Sequence, residues 1–524
     1  MKTISILWTD DEIDLLQPHI IFLEGKGYKV DTATNGDDAI EQVKNNTYDL
    51  VFLDENMPGK SGLETLSVIK TIKSSLPVVM ITKSEEEDIM DAAIGSKIAD
   101  YLIKPVKPNQ ILLSIKKNID NRELITRETT SAYRSSFGEI GVQISSARTF
   151  SDWGAIYQKL IYWELELEKS DDGGMNEVLH MQKSEADNEF GRYIRNNYHN
   201  WFDSDSFNST DDSDGRPLLS PGVIQRALLP KFEQNGKAVF IVIDNLRYDQ
   251  WKIISPLVNE LFVVEKEDVY CSILPTATQY ARNSIFAGLM PGDIATRYPE
   301  YWLNDHEEGG KNQFENELFE TLKKRLGIQA KHHYEKISNK RHGDKVIDNI
   351  ENILQNDLVL LVYNFVDMLS HANTDMEMIR ELASNDSAYR SLTLSWFQHS
   401  PFYELLKVLA AKKIPVVLTT DHGTIRVNKP VKVIGDKATS KNLRYKLGKN
   451  LDYKSRDVFD VKDPQKVHLP KTNVSSKYIF AFGDSFLVYP NRYNHFVNYF
   501  TNTYQHGGIS MEEMILPLVT LEPK

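Results

Sequence analysis

A single cysteine, Cys271, stands in 524 residues. That excludes an intramolecular disulfide and fits a reducing compartment. No apolar run approaches the ~20 residues that crossing a bilayer requires. The opening Met1-Lys-Thr-Ile-Ser-Ile-Leu-Trp8 runs straight into acidic residues, without the apolar length or cleavage pattern of an export signal. Positive charge is also in deficit: the formal net charge is −13, which argues against indiscriminate coating of nucleic acid. No helix-turn-helix signature offsets that deficit, so a DNA-binding transcription factor is disfavoured. Together these absences point to a cytoplasmic protein without membrane insertion. The rest is ordinary. With 41% hydrophobic and 26% charged residues, the chain can build cores of normal size, and its length suits about three domains of roughly 150 residues each.

In the first 120 residues, short apolar runs alternate with helical patterns. Strands are expected at Ile4 to Trp8, Lys29 to Ala33, Leu50 to Leu53, Val78 to Ile81 and Asp100 to Ile103. Helical spacing, for example Leu63, Leu66 and Ile69, separates them. This is the pattern of a doubly wound, flavodoxin-like sheet of five strands. Carboxylates fall at strand ends: Asp10 and Asp11 after the first, Asp54 after the third. Thr82 follows the fourth, and Lys104-Pro105, with a proline expected to be cis, follows the fifth. Carboxylates converging at one sheet edge would hold Mg²⁺. The ion and a lysine can then neutralise a phosphoryl group arriving on Asp54. Any one strand-end aspartate is more often a helix cap; three aspartates, a threonine and a lysine in this order leave little room for chance.

Nothing catalytic stands out from Arg122 to Pro221. Trp153, Tyr157, Leu160 and Ile161 recur at helical spacing, as do Phe190, Tyr193, Ile194 and Tyr198. The breaker Ser170-Asp-Asp-Gly-Gly174 separates the two patterns, and the acidic tract Asp203 to Gly215 reads as an exposed loop. A small helical bundle is expected, with the aromatic stripes as its core.

From Lys237 onward the strand–helix alternation returns. Ala238 to Ile243 is a buried strand ending in Asp244. Leu274-Pro275-Thr276-Ala277-Thr278 opens a helix running through Ser284, Ile285 and Gly288, and a hydroxyl there faces backbone N–H groups suited to phosphate. The strand Asp357 to Tyr363 is followed by Asp367 and His371, four apart and able to point the same way if their loop continues into a helical turn. The strand around Val416 to Leu418 delivers Asp421-His422-Gly423, and His506-Gly507-Gly508 lies near the end. Each motif alone reads as a capped turn. Three strand-end aspartates, three histidines and a Pro-Thr-x-Thr helix start together make a full set for two zinc ions. Between His422 and His506, Lys429, Lys432, Lys437, Lys441, Arg444, Lys446, Lys449, Lys454 and Arg456 interleave with Tyr445 and Tyr453. They read either as a solvated face or as a basic flap for an anionic substrate, with aromatics for base stacking.

On these motifs the N-terminal stretch resembles the receiver domain of bacterial response regulators. The resemblance makes Asp10 and Asp11 the acidic metal pair and Asp54 the phospho-acceptor, with Asn56 offering its carbonyl to Mg²⁺. Thr82, Lys104 and the aromatic Tyr101 become the switch residues. The C-terminal stretch resembles the alkaline phosphatase superfamily, its phosphodiesterase branch and PglZ-type members in particular. Pro275, Thr276, Thr278, Ser284, Ile285 and Gly288 meet that family's spacing, which implies Thr278 as nucleophile and Thr276 as the fallback. It also implies one zinc on Asp244, Asp421, His422 and the Thr278 oxygen, and a second on Asp367, His371 and His506. A threonine hydroxyl is barely acidic and depends on the metal for attack at phosphorus.

The domain order, with the opening Ile-Leu-Trp8-Thr-Asp-Asp-Glu12, resembles the PorX-type response regulators associated with type IX secretion. The expected architecture is α/β multidomain: a receiver at 1–122, a helical linker or bundle at 123–225, and a PglZ domain at 226–524 with a basic insertion at 425–480. The resemblance implies a PorY-like sensor histidine kinase, a phosphorylation-dependent homodimer, and contact with a sigma factor or secretion-system component. It also implies a zinc phosphodiesterase output, for which the basic stretch favours oligonucleotide or cyclic nucleotide diesters. The competing reading is a catalytically silent phosphatase fold signalling through protein contacts. A pure scaffold needs no nucleophile, so Thr278 beside six other ligands argues against it.

Overall fold

The structure, a computed structural model, describes residues 4–73, 76–83, 98–169, 173–202, 216–307, 309–436 and 439–524. Residues 170–172 of the expected breaker, the acidic tract 203–215 and Lys437 lie outside the described residues. The chain divides into two compact units. One comprises Met1–Arg134 with Lys169–Asp172, the other Ser135–Glu168 with Gly173–Lys524.

In the first unit, strands β1 (Ser5–Thr9), β2 (Lys29–Ala33), β3 (Leu50–Asp54), β4 (Val78–Thr82) and β5 (Asp100–Ile103) form one sheet in the order β2-β1-β3-β4-β5. All neighbours are parallel. β3 and β4 are buried throughout, which is why they read as unbroken apolar runs. The helix Gly62–Ile72 starts at a capping box in which Ser61 and Glu64 satisfy each other's backbone N–H. The strand order brings the ends of β1 and β3 side by side, with those of β4 and β5 next to them. The Lys104–Pro105 peptide is cis, as expected, and so is Leu274–Pro275.

The second unit is built on six strands: β6 (Ala238–Ile243), β7 (Phe262–Cys271), β8 (His332–Ile337), β9 (Leu358–Tyr363), β10 (Val416–Thr419) and, at the end of the chain, Ile515–Pro523. Seven short strands lie between the last two: β11 (Ile425–Val427), β12 (Lys429–Lys432), β13 (Tyr445–Gly448), β14 (Val458–Val461), β15 (Lys477–Ala481), β16 (Ser485–Val488) and β17 (Thr503–Gln505). The final strand is therefore β18. The main sheet runs β7-β18-β10-β6-β9-β8. β10, β6, β9 and β8 are mutually parallel, while β18 is antiparallel to both its neighbours. Four carboxyl ends therefore share one edge, where open α/β sheets place their ligands. β6 and β9 are wholly buried. The inserted strands pair only among themselves, in one three-stranded and two two-stranded sheets.

The middle helices Phe150–Glu168 and Gly173–Asn197 belong to this second unit. Their aromatic stripes form a core, with Trp153 5.7 Å from Phe190 and 6.2 Å from Tyr193 between ring centroids. A buried ion network fixes them to the sheet domain. Arg390 donates to Glu164 at 2.8 Å, to Asp249 at 2.7 Å, and to Glu168. Lys183 lies 2.5 Å from Glu164 and 3.8 Å from Glu512. Among the described residues, no helix is long and apolar enough to cross a membrane.

Candidate active site

Every zinc-ligand candidate sits at the shared carboxyl edge of the main sheet or on the turn beside it. Asp244 follows β6, Asp421 and His422 follow β10, and β9 leads through Asn364 into the helix Phe365–Asp375 that carries Asp367 and His371. Those two were expected in a loop; they lie on one face of a formed helix, with His371 Nε2 3.5 Å from Asp367 Oδ2. Two clusters result, Asp244-Asp421-His422 and Asp367-His371-His506, and within each the ligand atoms lie within 4.8 Å of one another. The clusters abut: the His422 and His506 rings stack at 4.2 Å, and Asn245 Nδ2 is 3.5 Å from Asp367 Oδ1.

Two glycines make these turns possible. A Cβ on Gly423 would fall 1.9 Å from the Glu512 carbonyl oxygen, so only glycine lets that backbone pass. Gly507, after His506, has φ +121°, a conformation that L side chains rarely adopt. The imidazoles are aimed by the backbone: His422 Nδ1 is 3.1 Å from the Gly423 carbonyl and His506 Nδ1 3.2 Å from that of Thr276. With Nδ1–H donating to a carbonyl, each ring turns its Nε2 lone pair into the site.

Thr278 is the first residue of the helix Thr278–Ala287, and its Oγ1 lies 2.9 Å from His422 Nε2. Asn312 holds that helix start by donating to the Thr278 carbonyl at 2.9 Å. Thr276 is engaged elsewhere. Buried, its hydroxyl donates to the Gly508 carbonyl at 2.8 Å and accepts from Gly507 N–H at 3.1 Å.

The electrostatics describe a site built around cations. Burial, then repulsion from Asp244, pushes Asp421 up to about 8. Burial, then Asp244 again, raises Asp367 to about 7. Burial drives His422 down to about 4; the same effect, followed by His422 and His371, takes His506 to about 3. Burial also pushes Asp244 upward, but the Arg282 guanidinium, followed by His422, outweighs it and holds the carboxyl below its ordinary range. Asp244 Oδ1 and Asp421 Oδ2 are buried and make no hydrogen bond among the described residues. Neutral imidazoles beside crowded carboxylates with unused lone pairs are the donor set of a divalent metal, so these residues fit the ions expected of them.

Three neighbours carry no signal in the sequence. Arg282, one turn beyond Thr278, donates to Asp244 and to Glu315 at 2.6 Å each. Asn245 takes φ +65° and donates its N–H to Asp421 at 3.3 Å. Asn312 completes the set. An arginine at helical spacing reads as a solvated residue, and the polar Asn283 and Ser284 beside it give no hint of burial.

The basic insertion departs from expectation at Arg444 and Lys446, while Lys429 and Arg456 stay exposed. Arg444 is buried against Glu513 at 2.6 Å, and Lys446 is buried under the Tyr489 ring, where burial lowers it to about 7. Tyr445 is buried, donating to Asp305 at 2.9 Å, and Tyr453 donates to Asp460 at 3.1 Å. Arg444 and Tyr445 thus tie the insertion to the rest of the unit, while Lys446 and Tyr453 make contacts within it. Lys432, Lys441, Lys449 and Lys454 stay exposed.

In the first unit, Asp10, Asp11 and Asp54 cluster within the same 4.8 Å limit. Lys104 Nζ bridges Asp10 at 2.7 Å and Asp54 at 2.9 Å. Burial raises Asp54 despite that lysine. Thr82 is buried beside it at the end of β4, and its carbonyl accepts from Lys104 N–H at 2.7 Å. Tyr101 is half-buried against the core, and Asn56 is exposed on the loop after β3.

Three family models account for most of the chain. Residues 6–116 match the response regulator receiver domain, 123–202 the PorX response regulator linker domain, and 223–521 the BREX system PglZ alkaline phosphatase-like domain. The chain belongs to the PorX-type response regulators. As in that family, a receiver and an alkaline phosphatase-like domain share one polypeptide. Among curated proteins, the PorX-type chain is similar to the transcriptional regulatory protein ZraR of Klebsiella oxytoca, 34% identical over 140 residues, or 27% of this chain and 32% of that protein. It is also similar to the transcriptional regulatory protein ResD of Bacillus subtilis, 35% identical over 112 residues, or 21% and 46%. It thus spans between a third and a half of these relatives. A CheY-like receiver domain protein from Methanospirillum hungatei, solved by crystallography, aligns over 23% of this chain and 98% of its own, with 24% identity and a TM-score of 0.23.

Proposed function

We propose that this regulator is phosphorylated on Asp54 by a PorY-like sensor histidine kinase, with Mg²⁺ on Asp10, Asp11 and Asp54 and the Asn56 carbonyl. Its C-terminal unit is a zinc-dependent phosphodiesterase acting on oligonucleotide or cyclic nucleotide diesters in the control of type IX secretion. One observation carries the enzymatic reading: the Thr278 hydroxyl, 2.9 Å from His422 Nε2, faces a site lined by two ligand clusters. Asp244, Asp421 and His422 would hold one ion together with Thr278, and Asp367, His371 and His506 the other. Ions bound there supply Lewis acidity and neutralise charge on the phosphoryl oxygens.

The chain's own groups do the rest. Thr278 stands where the free N–H groups of its helix can receive a phosphoryl oxygen. Asn312 fixes the backbone that positions its hydroxyl, whose oxygen attacks phosphorus in line as the P–O bond to one alcohol of the diester breaks. The threonine proton ends on that departing alcohol, and water then cleaves the threonyl phosphodiester to restore Thr278 and release a phosphate monoester. The Nδ1 anchors keep His422 and His506 in one tautomer. A diester with more than one phosphate is supported by exposed Lys441, next to Asn442, whose side chain approaches the turn at Gly507.

The test is p-nitrophenol release from bis-p-nitrophenyl phosphate with added zinc, beside metal analysis of the same samples. Wild type is expected to retain two zinc ions per chain and turn over. Thr278→Ala should keep zinc and lose about 10³-fold or more in kcat. Equal turnover removes Thr278 as nucleophile, and a folded wild type that retains no zinc removes the enzymatic reading.

A further inference from the structure

A second ligand site lies farther along the same sheet edge. A cavity of about 200 Å³ opens at the carboxyl ends of β8 and β9, walled by Ile337, Tyr363, Phe365, Trp396 and Pro401. Its walls are flat. Phe365 and Trp396 stack at 4.5 Å with planes 1° apart, and Tyr363 packs on Phe402 at 4.7 Å. Tyr363 is only 4% exposed, and its hydroxyl makes no hydrogen bond among the described residues. A buried hydroxyl without a partner costs about 1–3 kcal/mol, a cost that a bound acceptor or donor would remove. The volume is below the ~300 Å³ at which drug-sized pockets begin, so it admits one ring system and no more. Lys340 lines the cavity at the first residue of the helix Lys340–Asp348, where Asn339 caps the His342 N–H at 3.0 Å and the lysine, with the N–H groups before His342, favours an anion.

We infer that this slot binds the planar base of a nucleotide, with the ring against Trp396 and Phe365, a ring heteroatom on the Tyr363 hydroxyl, and the phosphate toward Lys340. The position gives it consequence for the metal-binding edge. The Tyr363 backbone carbonyl accepts from Asp244 N–H at 2.8 Å. Phe365 stands two residues before Asp367 on one helix, roughly 200° around its axis. One turn therefore presents a metal-ligand candidate on one side and the slot wall on the other. The base can belong to the diester itself or to a separate effector.

The experiment is calorimetric titration of the full chain with the four nucleoside 5′-monophosphates, with ribose 5-phosphate as the ringless control. Wild type is expected to bind at least one nucleotide and to bind ribose 5-phosphate far more weakly. Tyr363→Phe keeps the packing, loses one hydrogen bond and should weaken binding about five- to tenfold. Ser338→Trp, at an exposed wall position, should abolish it. Turnover of bis-p-nitrophenyl phosphate is followed in the same samples. If the base is the substrate's, Tyr363→Phe raises KM for the dinucleotide ApA and not for bis-p-nitrophenyl phosphate. If it is an effector's, the nucleotide changes bis-p-nitrophenyl phosphate turnover in wild type and not in Ser338→Trp. The inference is overturned if no nucleotide binds, if ribose 5-phosphate binds equally well, or if both variants bind like wild type.

Discussion

Arg282 is 1% exposed, and its guanidinium is shared between Asp244 and Glu315. Asp421 Oδ2 is 3.7 Å away. It is the permanent cation of a site otherwise rich in carboxylates. Removing one partner of a buried ion pair leaves the other charge uncompensated, at a cost of about 3–5 kcal/mol. Arg282→Met should therefore destabilise the metal-free protein by about that amount in urea unfolding. Excess zinc should recover part of the loss, because an ion on Asp244 replaces the missing charge. Equal midpoints for variant and wild type without metal would show that Asp244 does not depend on Arg282.

At the scale of elements, function depends on how closely backbones approach where strands end. The turn after β10 passes the Glu512 carbonyl at a distance that excludes any side chain on Gly423. Gly423→Ala must displace that turn, and His422 with it. A misplacement of about 1 Å costs on the order of 10²-fold in rate, so we expect bis-p-nitrophenyl phosphate turnover to fall by about that factor, with loss of zinc. Unchanged rate and zinc content would mean the turn relaxes away from His422.

The same elements explain what sequence reading could reach. β1, β3, β4, β6 and β9 are apolar runs with an acid or hydroxyl at or just past their ends, and burial on both faces leaves no other pattern. β7 and β8 escaped notice because edge strands need no such run. β7 runs Glu265, Lys266, Glu267 and Asp268 in succession, part-exposed on both faces, and β8 carries His332, His333, Glu335 and Lys336. Arg444 and Lys446 misled for the opposite reason. Their charge suggests solvent, yet Glu513 and Tyr489 bury them in the insertion. Ligand spacing is local and legible, whereas the partner that neutralises a buried charge can lie 69 residues away.

For the whole molecule, the acidic pocket around Asp54 is the point where phosphorylation adds charge. Lys104 now bridges Asp10 and Asp54. A phosphoryl group replaces the single negative charge of the carboxylate with roughly two and competes for that lysine, with Thr82 and the half-buried Tyr101 beside it. Acetyl phosphate with Mg²⁺ is expected to shift wild type toward twice its mass in light scattering and to leave Asp54→Ala a monomer. Equal masses for both would count against a phosphorylation-driven dimer.

The salt links of Arg390 and Lys183 carry a practical consequence. A shortened protein starting at residue 223, where the phosphatase-like match begins, would lack Glu164, Glu168 and Lys183. Arg390 would keep Asp249 alone, and Glu512 would lose its lysine. The two preceding helices thus serve as a keel for the hydrolase-like body, and the smallest piece able to stand alone must begin upstream of them.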